Sequence, residues 1–399
     1  MKKYLSSIAL MLTLFCACAE KYDPIIPIKP EDKSGIDSVY MSRAEITFEK
    51  IFNLYWSNKV DLFFSSHPNS LGTPQEPTAP QHDIHAYLWG VGGLFSAFNA
   101  IVQNTNNLDF RLKYESDFKR TLIQYYNASK TPPAYACFVF DFDGRLYDDA
   151  IWIGIDLVDL YSKTKDSWYL EYAKTVWDFV LSGMDDTLGG GVYWDENSKD
   201  SKNTCSNAPA IVLGMKLFKA TNEDSYLETC EELYTWVKKT LQDPADYLYW
   251  DNIKINGTIE TPKFSYNSGQ MIQAGVLLYN ATKNTQYLND AKLVAEACYN
   301  YFFENFTSTH TGEQFRIIKN GNLWFNAIMI RGFVELNKVE ANGIYTTAIK
   351  KSLEHGWKYA RDTETGLFNN NLSGNEVDNN KDILIQGAAV ELYARMAVK

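Results

Sequence analysis

Two adjacent carboxylates, Asp148 and Asp149, are the residues whose type and spacing best suit acid–base chemistry in this sequence. They follow Tyr147 and precede an apolar stretch that begins at Ala150. Neighbouring Cα atoms lie about 3.8 Å apart, and on a helix their side chains diverge by about 100°. Carboxyl groups placed in this way can flank one glycosidic bond at about 5–5.5 Å, the separation found in retaining glycosidases. Because like charges this close resist joint ionisation, one group would act as base or nucleophile and the other as proton donor.

A purely structural role for the same pair stays open on the sequence alone, because acidic residues at a helix start are ordinary caps and partners of the helix dipole. The residues that follow favour chemistry. The turn Ile151-Trp152-Ile153 is apolar, so the helix is expected to be buried. Adjacent carboxylates at the start of a buried helix are costly unless they are capped or used.

Other motifs give no competing site. Asp141 to Gly144 begin like a calcium-binding loop, but the twelfth position is Trp152, where an EF-hand has Glu. His82 and His85 lack a third ligand at a convincing spacing, and the glycines at 189–191 lack the Lys-Ser/Thr of a phosphate loop. The sequence therefore predicts neither a metal nor a cofactor.

An internal repeat indicates the elements that would hold the acid pair. Three segments share an aromatic residue, a threonine three positions later, a polar turn and a Tyr-Leu pair. The threonines are Thr164, Thr221 and Thr282. The Tyr-Leu pairs begin at Tyr169, Tyr226 and Tyr287, at spacings of 57 and 61 residues. A period near 60 with two helical patterns in each unit predicts stacked pairs of helices.

The two helices of each unit differ in pattern: the first is apolar nearly all round, and the second is amphipathic. Candidates for the first helix begin near His85, Asp148, Asn207, Ser268, Asn322 and Asp382. Candidates for the second cover about 43–64, 112–127, 168–182, 225–241, 286–304 and 344–361. Six pairs predict an (α/α)6 toroid, with Gly154, Gly214 and Gly275 permitting close packing in its inner ring. An open solenoid is the structural alternative.

The segment from Tyr147 to Trp152, Tyr-Asp-Asp-x-x-Trp, resembles glycoside hydrolase family 76, the bacterial endo-α-1,6-mannanases and related fungal wall enzymes. The similarity continues in order over roughly residues 85–340, through Gly189 to Asp195, Lys202-Asn203, Ser206-Asn207, Tyr266 to Gly269 and Phe325 to Arg331. The resemblance implies an (α/α)6 barrel and hydrolysis with retention of configuration. It also implies Asp148 as nucleophile and Asp149 as general acid/base.

Residues around the pair supply candidates for sugar binding. Aromatic rings can stack on sugar faces, and the candidates are Trp152, Tyr193, Trp194, Trp250, Tyr266 and Trp324. Polar side chains can bond to hydroxyl groups, and the candidates are Asp195, Asn207, Asn267 and Gln270. Packing in the core is the alternative for each ring. Trp194 and Tyr266 are the strongest candidates, because they lie in polar segments before first helices.

The composition narrows the class of ligand. A hydrophobic content of 45% over 399 residues excludes a disordered chain. A net charge of −11 without basic runs argues against nucleic acid and anionic membrane surfaces as partners. The aromatic content of 15% favours a neutral ligand such as a sugar, although most of these rings recur at helix spacing and are expected to pack between helices.

Residues 1–17 are typical of a lipoprotein signal peptide. Lys2 and Lys3 precede an apolar stretch too short to cross a bilayer, and a small residue stands directly before Cys18. This pattern predicts cleavage and lipidation at Cys18, and an ordinary signal peptide is the alternative. We therefore expect an exported lipoprotein of the cell envelope, held by its lipid at the outer membrane or cell surface.

The mature chain is expected to have two parts. Residues 18–41 contain three prolines and no helical period, which predicts a flexible tether, and residues 42–399 would form the catalytic domain. The cysteines beyond the tether allow three pairings or free thiols, and they are Cys137, Cys205, Cys230 and Cys298.

Together these features favour a retaining, endo-acting glycoside hydrolase that cleaves the α-1,6-mannosidic bonds of mannan backbones through a covalent intermediate on Asp148. Its partners would be α-mannan or α-1,6-mannooligosaccharides, and its oligomeric state stays open. Two alternatives remain: a transglycosylase on the same site, and a non-catalytic mannan-binding surface lipoprotein whose acids only bind hydroxyl groups.

Overall fold

The computed structural model describes residues 35–69, 81, 84–105 and 107–398. The predicted signal peptide, Cys18, His82 and the predicted tether before residue 35 lie outside these residues. Helix α1 (Ser38–Tyr55) begins within the last four residues of the predicted tether. It begins there because the Asp37 carboxylate accepts hydrogen bonds from two backbone N–H groups of its first turn. The predicted boundary at residue 42 is therefore too late.

Twelve α-helices in the described part of the chain form two rings. The inner ring consists of α2 (Leu88–Asn104), α4 (Tyr147–Thr164), α6 (Thr204–Thr221), α8 (Ser265–Thr282), α10 (Leu323–Asn337) and α12 (Ile383–Met396). The outer ring consists of α1, α3 (Leu108–Tyr125), α5 (Ser167–Ser182), α7 (Asp224–Leu241), α9 (Thr285–Phe302) and α11 (Gly343–Tyr359). Successive inner helices pack together, and α12 packs against α2. This closure confirms the (α/α)6 toroid and excludes the open solenoid.

Short β-strands connect the helices. Pairs are formed by β1 (Trp56–Ser57) with β2 (Leu62–Phe63), β3 (Ser66–His67) with β11 (Lys381–Asp382), β4 (Tyr126–Asn127) with β5 (Ala134–Tyr135), and β9 (Phe303–Thr307) with β10 (Gln314–Ile318). A three-stranded antiparallel sheet is formed by β6 (Ser201–Asn203), β7 (Trp250–Lys254) and β8 (Ile259–Lys263). Because β6 leads into α6 and β8 into α8, this sheet lies where the inner helices begin.

The turns between helices explain the sequence repeat. One residue in each turn has a left-handed backbone, at Lys165, Asn222 and Lys283, with φ of 61–62°. The repeated threonine directly before it donates its hydroxyl to the carbonyl four residues earlier, at 2.7–2.9 Å. The same hydroxyl accepts the N–H two residues later, at 3.2–3.3 Å. Each threonine therefore ends an inner helix and starts the turn to the next outer helix.

Glycines allow the closest approaches between helices. The predicted Gly154 faces an inner and an outer helix, because a Cβ atom on it would lie 3.1 Å from Leu213 of α6 and 3.0 Å from Val176 of α5. A Cβ atom on Gly214 would lie 2.4 Å from a thiol of the outer helix α7, and Gly275 likewise faces an outer helix. Between inner helices, a Cβ atom on Gly269 of α8 would lie 2.2 Å from the Cα atom of Met329 on α10. The backbones of α8 and α10 are therefore in contact. None of the helices in the described residues is long and apolar enough to cross a membrane.

Candidate active site

A cavity of about 670 Å³ opens where the inner helices begin. Its wall contains residues from the first turns of α2, α4, α6, α8 and α10, or from the segments directly before them. Asp148 and Asp149 lie in this wall, in the first turn of α4. The toroid thus brings the two adjacent carboxyl groups into the wall of this cavity.

The start of α4 is held by the segment that follows α5. The backbone N–H of Tyr147 donates to the carbonyl of Trp194 at 3.0 Å, and Leu146 pairs with Asp195 in an isolated β-bridge. The Tyr147 ring is 1% exposed and stacks on Phe179, with 4.3 Å between ring centroids. These contacts fix where α4 begins and therefore where the two carboxyl groups lie.

Burial raises the pKa of both carboxyl groups, but unequally. It raises the pKa of Asp148 from 3.8 to about 6, although a hydrogen bond with Cys205 opposes part of the rise. Burial and the negative charge of Asp148 raise the pKa of Asp149 from 3.8 to about 8, against a hydrogen bond with Cys137. Near pH 7 the pair therefore holds one carboxylate and one proton. The Oδ1 atom of Asp148 is buried without a hydrogen-bond partner among the described residues.

Aromatic side chains form much of the wall. Trp152 and Trp324 meet edge to face, with 5.2 Å between ring centroids. Tyr266 stacks on Phe325 at 4.2 Å and an interplanar angle of 20°. Trp194 lies at the cavity mouth with 38% of its surface exposed. Four of the predicted sugar-stacking rings therefore line the cavity that contains the acid pair.

The β6–β7–β8 sheet supplies a polar part of the wall. Its contribution consists of Ser201, Asn203, Asp251, Asn252 and Lys254, with Asp200 directly before β6. Burial raises the pKa of Asp251, and its carboxylate accepts a hydrogen bond from Asn252 at 2.8 Å. Carboxylate, amide and hydroxyl groups of this kind can bond to the hydroxyls of a polyol. In the described part of the chain, no group of three His, Cys, Asp or Glu side chains could hold a metal ion.

Three predicted sugar contacts instead hold the segment before β6 in place. The Tyr193 hydroxyl donates to Asp185 at 2.9 Å. Asn207 binds the backbone of Val192, because its amide oxygen accepts the N–H at 2.6 Å and its amide nitrogen donates to the carbonyl at 2.9 Å. The Asp195 carboxylate accepts the backbone N–H two residues later at 2.8 Å and closes a turn. None of the three lines the cavity.

Three further predicted contacts lie outside the cavity wall as well. Gln270 is fully buried and donates to Gln273 at 3.0 Å. Asn267 is also fully buried, and its amide group has no hydrogen-bond partner among the described residues. Trp250 lines a separate surface cavity beside β7. The inner helix α8 is surrounded by its neighbours, so polar residues beyond its first two positions face other helices.

Several cavity residues were missed by the sequence analysis. They are Tyr87, Trp89, Cys137, Phe138, Leu146, Asp200, Ser201, Asn203, Cys205, Asp251, Asn252, Lys254, Phe264 and Phe325. A usable signal existed for Trp89 and Phe264, which stand at the starts of inner helices as Asp148 does. The sheet residues carried no such signal, because pairing between β6 and β7 brings them to the wall. The sequence left the pairing of four cysteines open. In the structure all four are buried free thiols: Cys137, Cys205, Cys230 and Cys298.

A second cavity, of about 350 Å³, lies at the opposite end of the inner ring. Its charged side chains are paired within the protein. Lys216 binds Asp159, and Arg331 binds Glu391 through two hydrogen bonds of 2.6 and 2.9 Å. The unequal acid pair that suits acid–base chemistry therefore belongs to the first cavity.

Comparison with known proteins agrees with the geometry. The model of glycosyl hydrolase family 76 matches residues 40–399. A family 76 glycoside hydrolase (mannosidase) from Bacteroides thetaiotaomicron superposes with a TM-score of 0.83 at 34% identity, covering 90% of this chain and 98% of that chain. An α-1,6-mannanase from Salegentibacter shares the fold with a TM-score of 0.72 at 24% identity, covering 90% and 99%.

Fungal proteins are also similar over shorter stretches. A mannan endo-1,6-alpha-mannosidase of Candida glabrata is 31% identical over 106 residues, 24% of each chain. One of Saccharomyces cerevisiae is 26% identical over 176 residues, 40% of this chain and 38% of that protein. The matched stretches span about half or less of these relatives, from 24% to 48% of their length. The family match over nearly the whole chain confirms the resemblance seen in the sequence: the chain belongs to glycosyl hydrolase family 76.

Proposed function

We propose that this protein is a retaining, endo-acting glycoside hydrolase that cleaves α-1,6-mannosidic bonds in mannan backbones. The observation that carries the proposal is the pair of half-buried carboxyl groups, Asp148 and Asp149, with unequally raised pKa values in an aromatic cavity. The relatives support the substrate. The Salegentibacter mannanase was solved in complex with α-1,6-mannotriose, as an inactive variant in which two consecutive aspartates are replaced by asparagine.

The proposed reaction assigns one step to each carboxyl group. Asp148, the carboxylate near pH 7, attacks the anomeric carbon, while Asp149 donates its proton to the departing glycosidic oxygen. The resulting ester on Asp148 carries no charge, so the Coulomb repulsion that raises the pKa of Asp149 disappears. Asp149 then takes a proton from water, whose oxygen attacks the anomeric carbon and releases Asp148. Two inversions retain the configuration, and both groups return to their starting protonation states.

The cavity wall is suited to a neutral sugar chain in this reaction. Trp152, Trp324 and Tyr266 are only 1–9% exposed and shape the apolar wall. Trp194, at 38%, presents the more open ring against which the apolar face of a mannose unit can stack. The polar groups of the β6–β7–β8 sheet are available for hydroxyl groups. Trp194, at the mouth, would contact a unit that enters or leaves.

The experiment is incubation of the protein with linear α-1,6-mannan, with the products followed by size and by anomeric NMR. Shorter products released first in the α configuration support retaining endo-hydrolysis. Longer products would instead indicate transglycosylation, and unchanged mannan would indicate a binding module. Trapping with a fluorinated mannosyl donor tests the nucleophile, and label on any residue other than Asp148 contradicts that role.

A matched pair of variants separates catalysis from helix capping. Asp148→Asn and Asp149→Asn are each expected to lower kcat by at least about 100-fold, the usual contribution of a positioned acid or base. Asp224→Asn changes an acid in the first turn of the outer helix α7, and activity is expected to stay at the parent level. Full turnover in both cavity variants would overturn the assignment.

We also propose that the mature chain is an exported lipoprotein tethered through Cys18. The supporting observation is the charged, apolar and small-residue order of the N-terminal sequence. Cys18→Ala is expected to move the protein from the membrane fraction to the soluble fraction of the producing cell. Retention of the variant in the membrane fraction would contradict the lipid anchor.

A further inference from the structure

Three aromatic side chains form a continuous row at the mouth of the catalytic cavity: Tyr87, Phe138 and Phe140, here called the aromatic ridge. The ring centroids of Tyr87 and Phe138 lie 4.6 Å apart, and those of Phe138 and Phe140 lie 5.4 Å apart. Tyr87 and Phe138 also line the cavity, whereas Phe140 lies beyond it. The ridge therefore continues the aromatic wall from the acid pair outwards.

Two rings of the ridge are partly exposed to solvent although they are large and mostly apolar. Tyr87 is 47% exposed and Phe140 is 42% exposed. Burial of a large apolar side chain is among the main favourable contributions to folding, and contiguous exposed apolar patches on a folded chain mark binding surfaces. The exposure of these adjacent rings beside a candidate active site therefore indicates a role in binding.

The backbone that carries the ridge is held in place by hydrogen bonds. The N–H of Leu88, next to Tyr87, donates to the carbonyl of Cys137 at 2.9 Å, and the N–H of Cys137 donates to the carbonyl of Gly144 at 2.8 Å. The Asn127 side chain donates to the carbonyl of Phe142 at 2.9 Å. The two parts of the ridge are thus joined to each other and to the β4–β5 hairpin. A platform that is already ordered loses little conformational entropy when a ligand binds.

Charge and continuity identify the ligand. Asp141 and Asp143 follow Phe140 in sequence. The Asp143 side chain is 85% exposed and pairs with the ammonium group of Lys130 at 3.2 Å, so its charge is offset. Carboxylates accept hydrogen bonds from hydroxyl groups, so the surroundings suit a neutral polyol. A linear polysaccharide too long for the cavity would pass over Phe138 to Phe140 as it leaves. We propose that the aromatic ridge is a distal subsite that stacks a mannose unit of the substrate chain outside the cavity.

The proposal rests on the proposed function for its ligand, and the test is a comparison of chain lengths. Phe140→Ala is expected to raise KM for long linear α-1,6-mannan about 3- to 10-fold, the effect of losing one stacking contact, with kcat unchanged. On the short substrate α-1,6-mannotriose, the same variant is expected to match the parent. Phe140→Trp keeps an aromatic ring at this position, so its KM should match that of the parent. Tyr301→Ala removes a 47% exposed ring from the outer helix α9 and is the matched control. Its KM should equal that of the parent on both substrates.

Two outcomes would overturn the ridge: an equal effect of Phe140→Ala on long and short substrates, or no effect on either. Calorimetric binding to the double variant Asp148→Asn/Asp149→Asn separates this proposal from the proposed function, since binding requires no turnover. If the parent chain leaves mannan uncleaved and Phe140→Ala still weakens binding of the long chain alone, the proposed function fails and the ridge stands. If the parent chain cleaves mannan and Phe140→Ala has the same effect on long and short substrates, the proposed function stands and the ridge proposal fails.

Discussion

Replacing Asp149 with Asn is expected to strengthen the fold while abolishing activity. Burial favours the uncharged form of this carboxyl group and, with the charge of Asp148, raises its pKa to about 8. The folded chain therefore holds a proton that the unfolded chain releases, and this difference makes stability depend on pH. An asparagine of similar shape carries no such proton.

The size of the effect follows from proton counting. Between about pH 4 and pH 8, Asp149 is ionised in the unfolded chain, where the ordinary pKa of 3.8 applies, and protonated in the folded chain. Folding then takes up one proton, so this residue lowers the free energy of unfolding by about 1.4 kcal/mol for each unit of rising pH. Below pH 4 both states are protonated and above pH 8 both are ionised, so the contribution of Asp149 becomes constant at each end.

Urea unfolding of the parent and of Asp149→Asn at about pH 5, 6 and 7 measures this contribution. The difference between the two free energies of unfolding is expected to grow in favour of the variant by about 1.4 kcal/mol per unit. Asp224→Asn, at the start of an outer helix, is the control for a change of charge at a helix start. A difference that stays constant across this range for Asp149→Asn would refute the buried, protonated state.

Three further measurements test the site and the core. On linear α-1,6-mannan, kcat/KM is expected to fall below about pH 6 as Asp148 gains a proton and above about pH 8 as Asp149 loses one, and a flat profile would contradict the two roles. Arg331→Met leaves the fully buried Glu391 without its bidentate partner and with Arg395 as its remaining partner, so urea unfolding should show a loss below the about 3–5 kcal/mol of an unpaired buried charge, part of it recovered when Glu391→Leu is added. Gly269→Ala places a Cβ atom 2.2 Å from the backbone of α10, so the free energy of unfolding is expected to fall by about 1–3 kcal/mol. An unchanged unfolding midpoint would contradict the backbone contact.

The toroid could be predicted because its evidence is periodic. The repeated threonine turns recur at a fixed spacing, and apolar first helices alternate with amphipathic second helices, so pairing and ring assignment both follow from the sequence. The start of α1 could not be found in this way. It depends on one capping side chain, Asp37, in a segment whose prolines indicate a tether.

The position of Asp148 could also be predicted, because the inner helices of a closed ring begin at one end, and five of the six contribute their first turn or the preceding segment to the cavity. The direction of single side chains in the segments that connect helices could not be predicted. Tyr193 and Trp194 are adjacent and extend to different sides, so one bonds to Asp185 and the other reaches the cavity. Which of the two faces inward is decided by Asn207, which holds the backbone of the preceding residue, and no pattern in the sequence records that contact.

The raised pKa values of Asp148 and Asp149 favour chemistry over a role as helix caps. The dipole of α4 favours negative charge in its first turn, but by about 2 kcal/mol at most, equivalent to roughly 1.5 pKa units in the downward direction. The pKa of Asp148 nevertheless rises from 3.8 to about 6 and that of Asp149 to about 8, so desolvation by the surrounding helices outweighs the dipole. In an open solenoid the same first turn would face water, and both groups would be ionised at neutral pH, as a cap is. In the closed ring, the first turn of α4 instead lies in the cavity wall beside residues of α2, α6, α8 and α10, and the pair holds one proton and one charge near pH 7.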